Sequence, residues 1–338
     1  MKSSNQNQES RFPSLAGFLI LLIVMMFFVT LSIGVIPISP LDVIQTLMLQ
    51  GSDRQELVLF DFRLPGIILA ILIGAGLSVS GVILQGLTHN DLADPGILGI
   101  NTGAGLAVVL FIYFFQGTLG TNMSIFIMPF FALIGALFAA VLIYALAWKN
   151  GVSPIRLILV GIGVNAGFSA LLMIFQLKMD PQDFRQATVW LSGDIWNPSW
   201  MFVAALLPWI GILIPYVLYK AKVLNVLHMG DDVAAGLGAN VEKERRMLLI
   251  TAVCLAGASV AAGGAIAFLG LIVPHISRKL IGSLHQYIIP ISTLIGALLL
   301  MIADTIGKNL LSPTQIPVGI VVSILSAPYF VYLLIKSK

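Results

Sequence analysis

Residues 63–99, RLPGIILAILIGAGLSVSGVILQGLTHNDLADPGILG, decide how the chain is read. Arg63 opens an apolar run rich in small residues and about one bilayer thick. A short polar loop, Gln85 to Asp94, follows it, and Pro95 restarts an apolar run. Hydrocarbon offers backbone N–H and C=O groups no partners, so a run of this length crosses it as a helix. The stretch predicts two membrane-spanning helices joined by a patterned loop.

The rest of the chain has the same character. Of its 338 residues 58% are apolar and 10% charged, with a mean hydropathy of +1.00. A soluble domain of this length has too much surface to cover with so few polar groups. Alternating ten-residue strands, the pattern of a membrane barrel, are absent. The first apolar run, Ser14 to Ile36, is too long for a signal-peptide core and lacks a small-x-small cleavage site, so it reads as a retained span. Cys254 is the lone cysteine, which excludes an internal disulfide. The pI near 9.0 fits basic loops on one side of a membrane better than a nucleic-acid partner, and none is expected.

Ten candidate spans follow: 14–36, 64–86, 95–115, 124–148, 155–177, 198–219, 246–267, 270–281, 286–306 and 314–335. The eighth is too short to cross alone and reads as a half-length helix packed in protein; leaving it out gives nine. With ten, both termini share one side. That side holds Lys2, Arg11, Lys149, Arg156, Lys220, Lys222, Lys243, Arg245, Arg246, Arg278, Lys279, Lys336 and Lys338; the other holds Arg54, Arg63, Lys178, Arg185 and Lys308. The positive-inside rule places the first side, and both termini, in the cytoplasm.

A weak repeat runs at an offset of 183. Arg63, Ile67, Leu72, Gly74, Ala75, Gly81 and Ile83 match Arg246, Ile250, Leu255, Gly257, Ala258, Gly264 and Ile266. This is either a duplication or a coincidence of two small-residue helices. As a duplication it pairs spans five apart, which run in opposite directions, and places a substrate route at their interface.

Several chemistries are missing. There is no phosphate-binding G-x-x-x-x-G-K-[ST], no H-E-x-x-H and no G-x-S-x-G. His89, His228, His275 and His285 are scattered at or near loops, so neither a metal site nor a cofactor is expected. Charge inside the spans is scarce. Asp304 is the exception, and reads either as a structural carboxylate paired with Lys308 at i+4 or as a transport group. The energy source is therefore expected outside this chain, with no catalytic residue in it.

Four blocks resemble the FecCD family of permeases, the membrane subunits of ABC importers for iron–siderophores, haem and vitamin B12. They are Arg63-Leu64-Pro65 with the glycine-rich helix and Gln85; NDLADPGILG (90–99) with Asn101, Gly103 and Ala104; GDDVAAGLGANV (230–241); and GGAIAFLGLIVPHISRKL with Ala303-Asp304 and the run 316–334. The resemblance implies an all-α polytopic membrane protein, an inverted-repeat bundle of about ten helices of the type II ABC importer class. It implies one permease domain over 1–338, with a cytoplasmic tail at 1–13 and a cytoplasmic coupling loop at 220–245. It implies two ATP-binding subunits, an extracytoplasmic substrate-binding protein and a second permease, identical or paralogous, in a bacterial cytoplasmic membrane.

By the same resemblance Gly230, Asp231, Asp232, Ala235, Leu237 and Gly238 form the coupling helix for the ATPase. Arg63 and Lys308 are the basic docking positions for the binding protein. Two departures stand out: Gly66 where the family often has a second Arg, and Asp91 where it commonly has Pro. Pro274-His275 matches the family's Pro-His; Pro274 is expected to break the short eighth helix and His275 to bond the freed backbone. The expected route is a central cavity of the permease dimer, lined by the fifth span (Leu157 to Gln176) and the tenth (Val318 to Tyr332), with Asn165, Ser169, Gln176 and Ser323 as polar contacts. A ferric siderophore, hydroxamate type favoured, is the expected cargo. Haem or cobalamin is the alternative, and an ion-coupled carrier or an intramembrane enzyme the rivals outside the family.

Overall fold

The structure, a computed structural model, describes residues 2–96, 98–119, 121–149, 153–195 and 198–336. The side chains of 2–8, 116–119, 121–126, 154, 333, 334 and 336 are not described. Ile97 of the quoted loop and Lys338, with the side chains of Lys2 and Lys336, therefore lie outside the described residues.

The described residues are helical, with no strand. The helices are α1 (Lys2–Ser32), α2 (Pro40–Leu47), α3 (Asp53–Glu56), α4 (Leu64–Thr88), α5 (Ile100–Leu119), α6 (Thr121–Ala147), α7 (Pro154–Gln176), α8 (Pro181–Leu191), α9 (Trp200–Tyr219), α10 (Ala221–Leu227), α11 (Asp231–Gly236), α12 (Val241–Gly263), α13 (Leu269–Ile281), α14 (His285–Asn309) and α15 (Val318–Lys336). A π-helical stretch, Leu57–Arg63, joins α3 to α4. Each of the ten candidate spans falls on its own helix. Among the described residues seven helices are long and apolar enough to cross a membrane, and the apolar stretches Ile100–Phe115 and Val318–Tyr332 are shorter. The eighth, α13, has 13 residues and is short as expected.

Some boundaries move. α5 starts at Ile100, not at Pro95, because Asp94 Oδ1 accepts the Gly96 N–H at 2.7 Å and folds residues 94–96 into a turn. α1 begins at Lys2, so the expected tail is helical.

α4 is the central helix, buried along nearly its whole length and packed against α9, α12, α13 and α14. Lipid gives no hydrophobic drive for helix association, so these contacts depend on close approach. A Cβ on Gly81 would stand 1.9 Å from the Gly270 carbonyl oxygen of α13, and one on Gly74 would stand 2.3 Å from the Gly296 oxygen of α14. Only glycine allows either crossing.

α4 and α12 run antiparallel. Ile73 lies against Gly263, Gly76 against Ser259 and Leu255, and the Ser80 hydroxyl donates to the Ala252 oxygen at 2.7 Å. Gly76 and Ser259 are themselves separated by the 183-residue offset, so the two helices cross where a residue meets its own counterpart. That is how an inverted repeat crosses its pseudo-twofold axis. The two helices end differently: α4 continues past Gly81, whereas α12 stops at Gly263 and Gly264 turns at φ +71°.

Pro274 does not break α13; it lies inside it. A proline cannot donate to the carbonyl four residues before it, here Gly270. Gln85 of α4 supplies the missing donor, its Nε2 reaching the Gly270 and Leu271 oxygens at 3.2 and 3.1 Å. His275 does not do this, and its Nε2 has no hydrogen-bond partner among the described residues. The Gln85 oxygen accepts from Arg278, which also pairs with Asp91 at 3.0 Å. Asp91, where the resembled family commonly has proline, thus anchors the α4–α5 loop by charge.

Candidate coupling, docking and pathway surfaces

The bundle has two chemically different ends. At one, α4 finishes at His89, a left-handed cap whose ring bonds the Leu227 oxygen at 2.9 Å. The coupling segment lies at the same end. Gly230 at φ +111° starts α11, and Gly238 at φ +84° ends it. Gly238 N–H donates to Ala235 O at 2.9 Å and Ala239 N–H to Ala234 O at 3.0 Å, the paired bonds of a Schellman stop. Asn240 then caps α12 by accepting from the Lys243 N–H at 3.1 Å.

This turn leaves one face bare. Ala234 is fully buried under α11, while Asp232, Val233, Ala235, Leu237 and Gly238 are exposed, Leu237 at 66%. Asp231 differs from its neighbour. Its carboxylate lies 2.5 Å from Arg245, a side chain only 7% exposed, and so ties α11 to α12. Lys220 of the preceding loop pairs with Glu244 at 2.8 Å, and that bond holds its amine above the ordinary lysine value. Tyr144 of α6 donates to Glu242 at 3.3 Å. The loop is therefore fixed to α12, and through its first turn to α6 and α9, while its outer surface remains free among the described residues.

Arg63 and Lys308 are at the opposite end, together with the end of α1 and the start of α9. Thr30 and Thr305 join there at 2.8 Å, and the Trp200 Nε1–H donates to Phe60 O at 2.9 Å. Arg63 donates to the carbonyl oxygens of Leu31 and Ile36, groups just at and past the end of α1. Lys308 Nζ donates to Asp304 Oδ2 at 2.7 Å. Asp304 is buried, so the structural reading of that carboxylate holds: its charge is matched one turn along the helix. Both docking candidates are thus held by their own chain.

A second acid, Asp194, belongs to this group. It sits half-buried in the α8–α9 connection, whose Gly193 oxygen accepts from the Gly319 N–H at 2.9 Å. Burial, then repulsion from Asp304, push the Asp194 carboxyl up to about 6, against the opposing pull of Lys308. Sequence reading missed it, because nothing local to SGD marks an acid that meets α14 only in three dimensions.

The pathway candidates are not gathered into one place. Asn165, Ser169 and Gln176 stand on α7, which packs on α5 and α6; Ser323 stands on α15, which packs on α13 and α14. No hydrogen bond links any two of the four among the described residues. Ser323 donates to its own helix at Gly319, 2.8 Å, and Asn165 Oδ1 is buried with no hydrogen-bond partner among the described residues. Both helices expose long apolar faces, Leu159, Ile162 and Met173 on α7 and Ile324 and Val331 on α15. Among the described residues no group of three His, Cys, Asp or Glu side chains is placed to hold a metal.

A polytopic helical bundle with a central glycine-lined helix, crossed antiparallel repeats and a bare, rigidly mounted loop at one end is a membrane-embedded transport subunit. The chain belongs to the FecCD transport family, whose sequence profile matches residues 21–336. It is 60% identical over 321 residues to the iron(3+)-hydroxamate import system permease protein FhuG of Bacillus subtilis, covering 94% of this chain and 95% of that protein. It is 36% identical to the hemin transport system permease protein HmuU of Yersinia pestis, covering 95% of each. A solved structure described as a metal-chelate type ABC transporter in an inward-facing conformation superposes with a TM-score of 0.83 at 29% identity, covering 96% of this chain and all of that one.

Proposed function

We propose that this chain is one permease of an ABC importer that passes a ferric hydroxamate siderophore inward across a bacterial cytoplasmic membrane. The observation that carries this is the 60% identity to an iron(3+)-hydroxamate permease over 94% of the chain, against 36% to a haem permease. A single transmembrane domain over 1–338 would work with a second permease, two ATP-binding subunits and an extracytoplasmic binding protein.

In this reading both termini and the loop 220–245 face the cytoplasm, where thirteen of the eighteen Lys and Arg residues are assigned. The exposed pad of Asp232, Val233, Ala235, Leu237 and Gly238 fits the ATPase. Gly230 and Gly238 set its ends, and Asp231 braces it from behind. Movement of the ATPase would reach α12, and then α4, through that brace. On the outer face Arg63 and Lys308 present fixed positive charge to the binding protein, and such charge orients docking more than it adds affinity. The bare faces of α7 and α15 would meet the second permease around a route that takes Asn165, Ser169, Gln176 and Ser323 as polar contacts. Hydrolysis of ATP in the partners would drive the cycle.

The test is uptake of radioactive iron as a trihydroxamate chelate by cells lacking the chromosomal copy of this chain. The chain should restore uptake, and Leu237→Asp should abolish both uptake and co-purification of an ATPase subunit. Restoration of haem uptake alone would overturn the substrate. Retention of the ATPase by Leu237→Asp would overturn the coupling surface. Gly238 is the poorer test site, since any side chain there is strained by its φ of +84°.

A further inference from the structure

Beside the central helix, α4, α5, α6, α7 and α12 leave a groove of about 300 Å³. Its walls are apolar, formed by residues such as Leu84, Leu137 and Leu249. It is open on the side of the bundle, where Val141 and Ile250 stand exposed on its rim. Only two of its lining residues have polar tips, Tyr144 and Arg246. Both lie where α6 ends and α12 begins, at the end of the bundle that holds the coupling loop.

That mouth is basic. Arg246 is exposed, in the second turn of α12. Arg156, next to the lining residue Leu157 but not itself in the lining, donates to the Ala147 and Lys149 backbone oxygens at 3.1 and 3.4 Å, just past the end of the groove. The Glu242 carboxylate is there too, and it accepts from Tyr144. A polar chelate gains nothing from such walls, and a soluble ligand reaches them only through the bilayer. An acyl chain entering from the side satisfies the walls, and an anionic headgroup satisfies the mouth, as basic sites between helices at a membrane surface do.

We propose that this groove binds an anionic phospholipid, one acyl chain against Leu84 and Leu249 and the phosphate beside Arg246. The site is separate from the coupling pad and from α15, and of α7 it takes Leu157, not the exposed Leu159, Ile162 and Met173. Only its assignment to the cytoplasmic leaflet rests on the orientation proposed above.

Native mass spectrometry of the full chain in detergent, titrated with palmitoyl-oleoyl phosphatidylglycerol or phosphatidylcholine, tests it. Phosphatidylglycerol should bind at concentrations at least tenfold lower than phosphatidylcholine. Arg246→Gln should erase that preference, and Ala140→Trp, which fills the groove, should weaken binding of both lipids at least tenfold. Val141→Trp at the exposed rim serves the same purpose without altering the interior. Equal binding of the two lipids by the unchanged chain would overturn the proposal. So would a preference that survives Arg246→Gln, or binding that survives both tryptophan variants.

Discussion

Arg245 is buried in the first turns of α12, and the carboxylate that faces it, 2.5 Å away, is Asp231 at the start of α11. A buried guanidinium needs a counter-charge, and removing one member of such a pair is costly because the other is left behind. Asp232, one residue on, is exposed and forms no ion pair among the described residues. Two adjacent aspartates therefore do different work, one bracing α11 against α12 and one facing outward.

Neutralising them should give different results. Asp231→Asn should destabilise the isolated chain by about 1–2 kcal/mol, less than the full cost of a broken buried pair because Asp231 is itself half exposed. Asp232→Asn should leave the isolated chain unchanged and weaken ATPase association. Thermal unfolding of the purified chain, set beside co-purification of the ATPase, separates the two. Equal unfolding midpoints for both variants would remove the brace.

The glycine crossings give a second contrast. Gly81→Ala places a methyl group 1.9 Å from the Gly270 oxygen, on backbone that has nowhere to go, and should cost about 3 kcal/mol or more. Gly163→Ala on α7 meets nothing within 4 Å and should be neutral or slightly stabilising, since alanine favours the helix. Unfolding midpoints in one detergent compare them directly. A neutral Gly81→Ala would mean that α4 and α13 are not packed as found.

The helices were readable because a membrane imposes a length, and ten apolar runs were enough to place ten helices. What was not readable has local physical reasons. α8 and α2 are short and only partly apolar, so hydropathy passes over them. Their caps are nevertheless in the sequence: Asp180 before Pro181, accepting from Gln182 and Asp183, and Ser39 before Pro40. Pro274 reads as a break because a proline costs one local bond; that Gln85, 189 residues earlier, replaces it depends on how α4 and α13 cross. For the site, the segment 230–241 was marked by the family resemblance and its acidic start, while the pairing of Lys308 with Asp304 followed from i+4 spacing. The division of labour between Asp231 and Asp232 did not, because it depends on which side of a one-turn helix meets Arg245.

Gln85 itself gives the third prediction. It is fully buried, donates to Gly270 and Leu271, and accepts from Arg278. Gln85→Leu keeps the volume and strands the Gly270 carbonyl, with each buried unsatisfied group costing about 1–3 kcal/mol. It should therefore lower stability by roughly 2–4 kcal/mol, the sum of the Gly270 carbonyl and the partly exposed Arg278. Gln85→Glu should lose less in spite of its charge, because it keeps an acceptor for Arg278. Urea titrations of the folded chain report both, and a Gln85→Leu variant as stable as the unchanged chain would rule out the bridging role.

Asp194 makes the Arg63–Lys308 end of the bundle sensitive to pH. Its carboxyl is raised from 3.8 to about 6 by burial and by Asp304, so the folded chain holds this proton more tightly than the unfolded chain does. Between pH 4 and 6 the folded state keeps the proton while the unfolded state has lost it, and stability falls as pH rises through that window. Below it both states are protonated, and above it both are ionised, so the dependence flattens at each end. Protonation removes the negative charge that competes with Asp304 for Lys308, and should hold the α8–α9 connection more firmly against Gly319. Unfolding midpoints measured from pH 4 to pH 8 should therefore fall in one step spread over pH 4 to 6 and level off above it, superimposed on whatever other groups contribute. Asp194→Asn should remove that step and match the low-pH stability of the unchanged chain at neutral pH. A step that persists in Asp194→Asn would assign it to another group and leave Asp194 without a role at this end of the bundle.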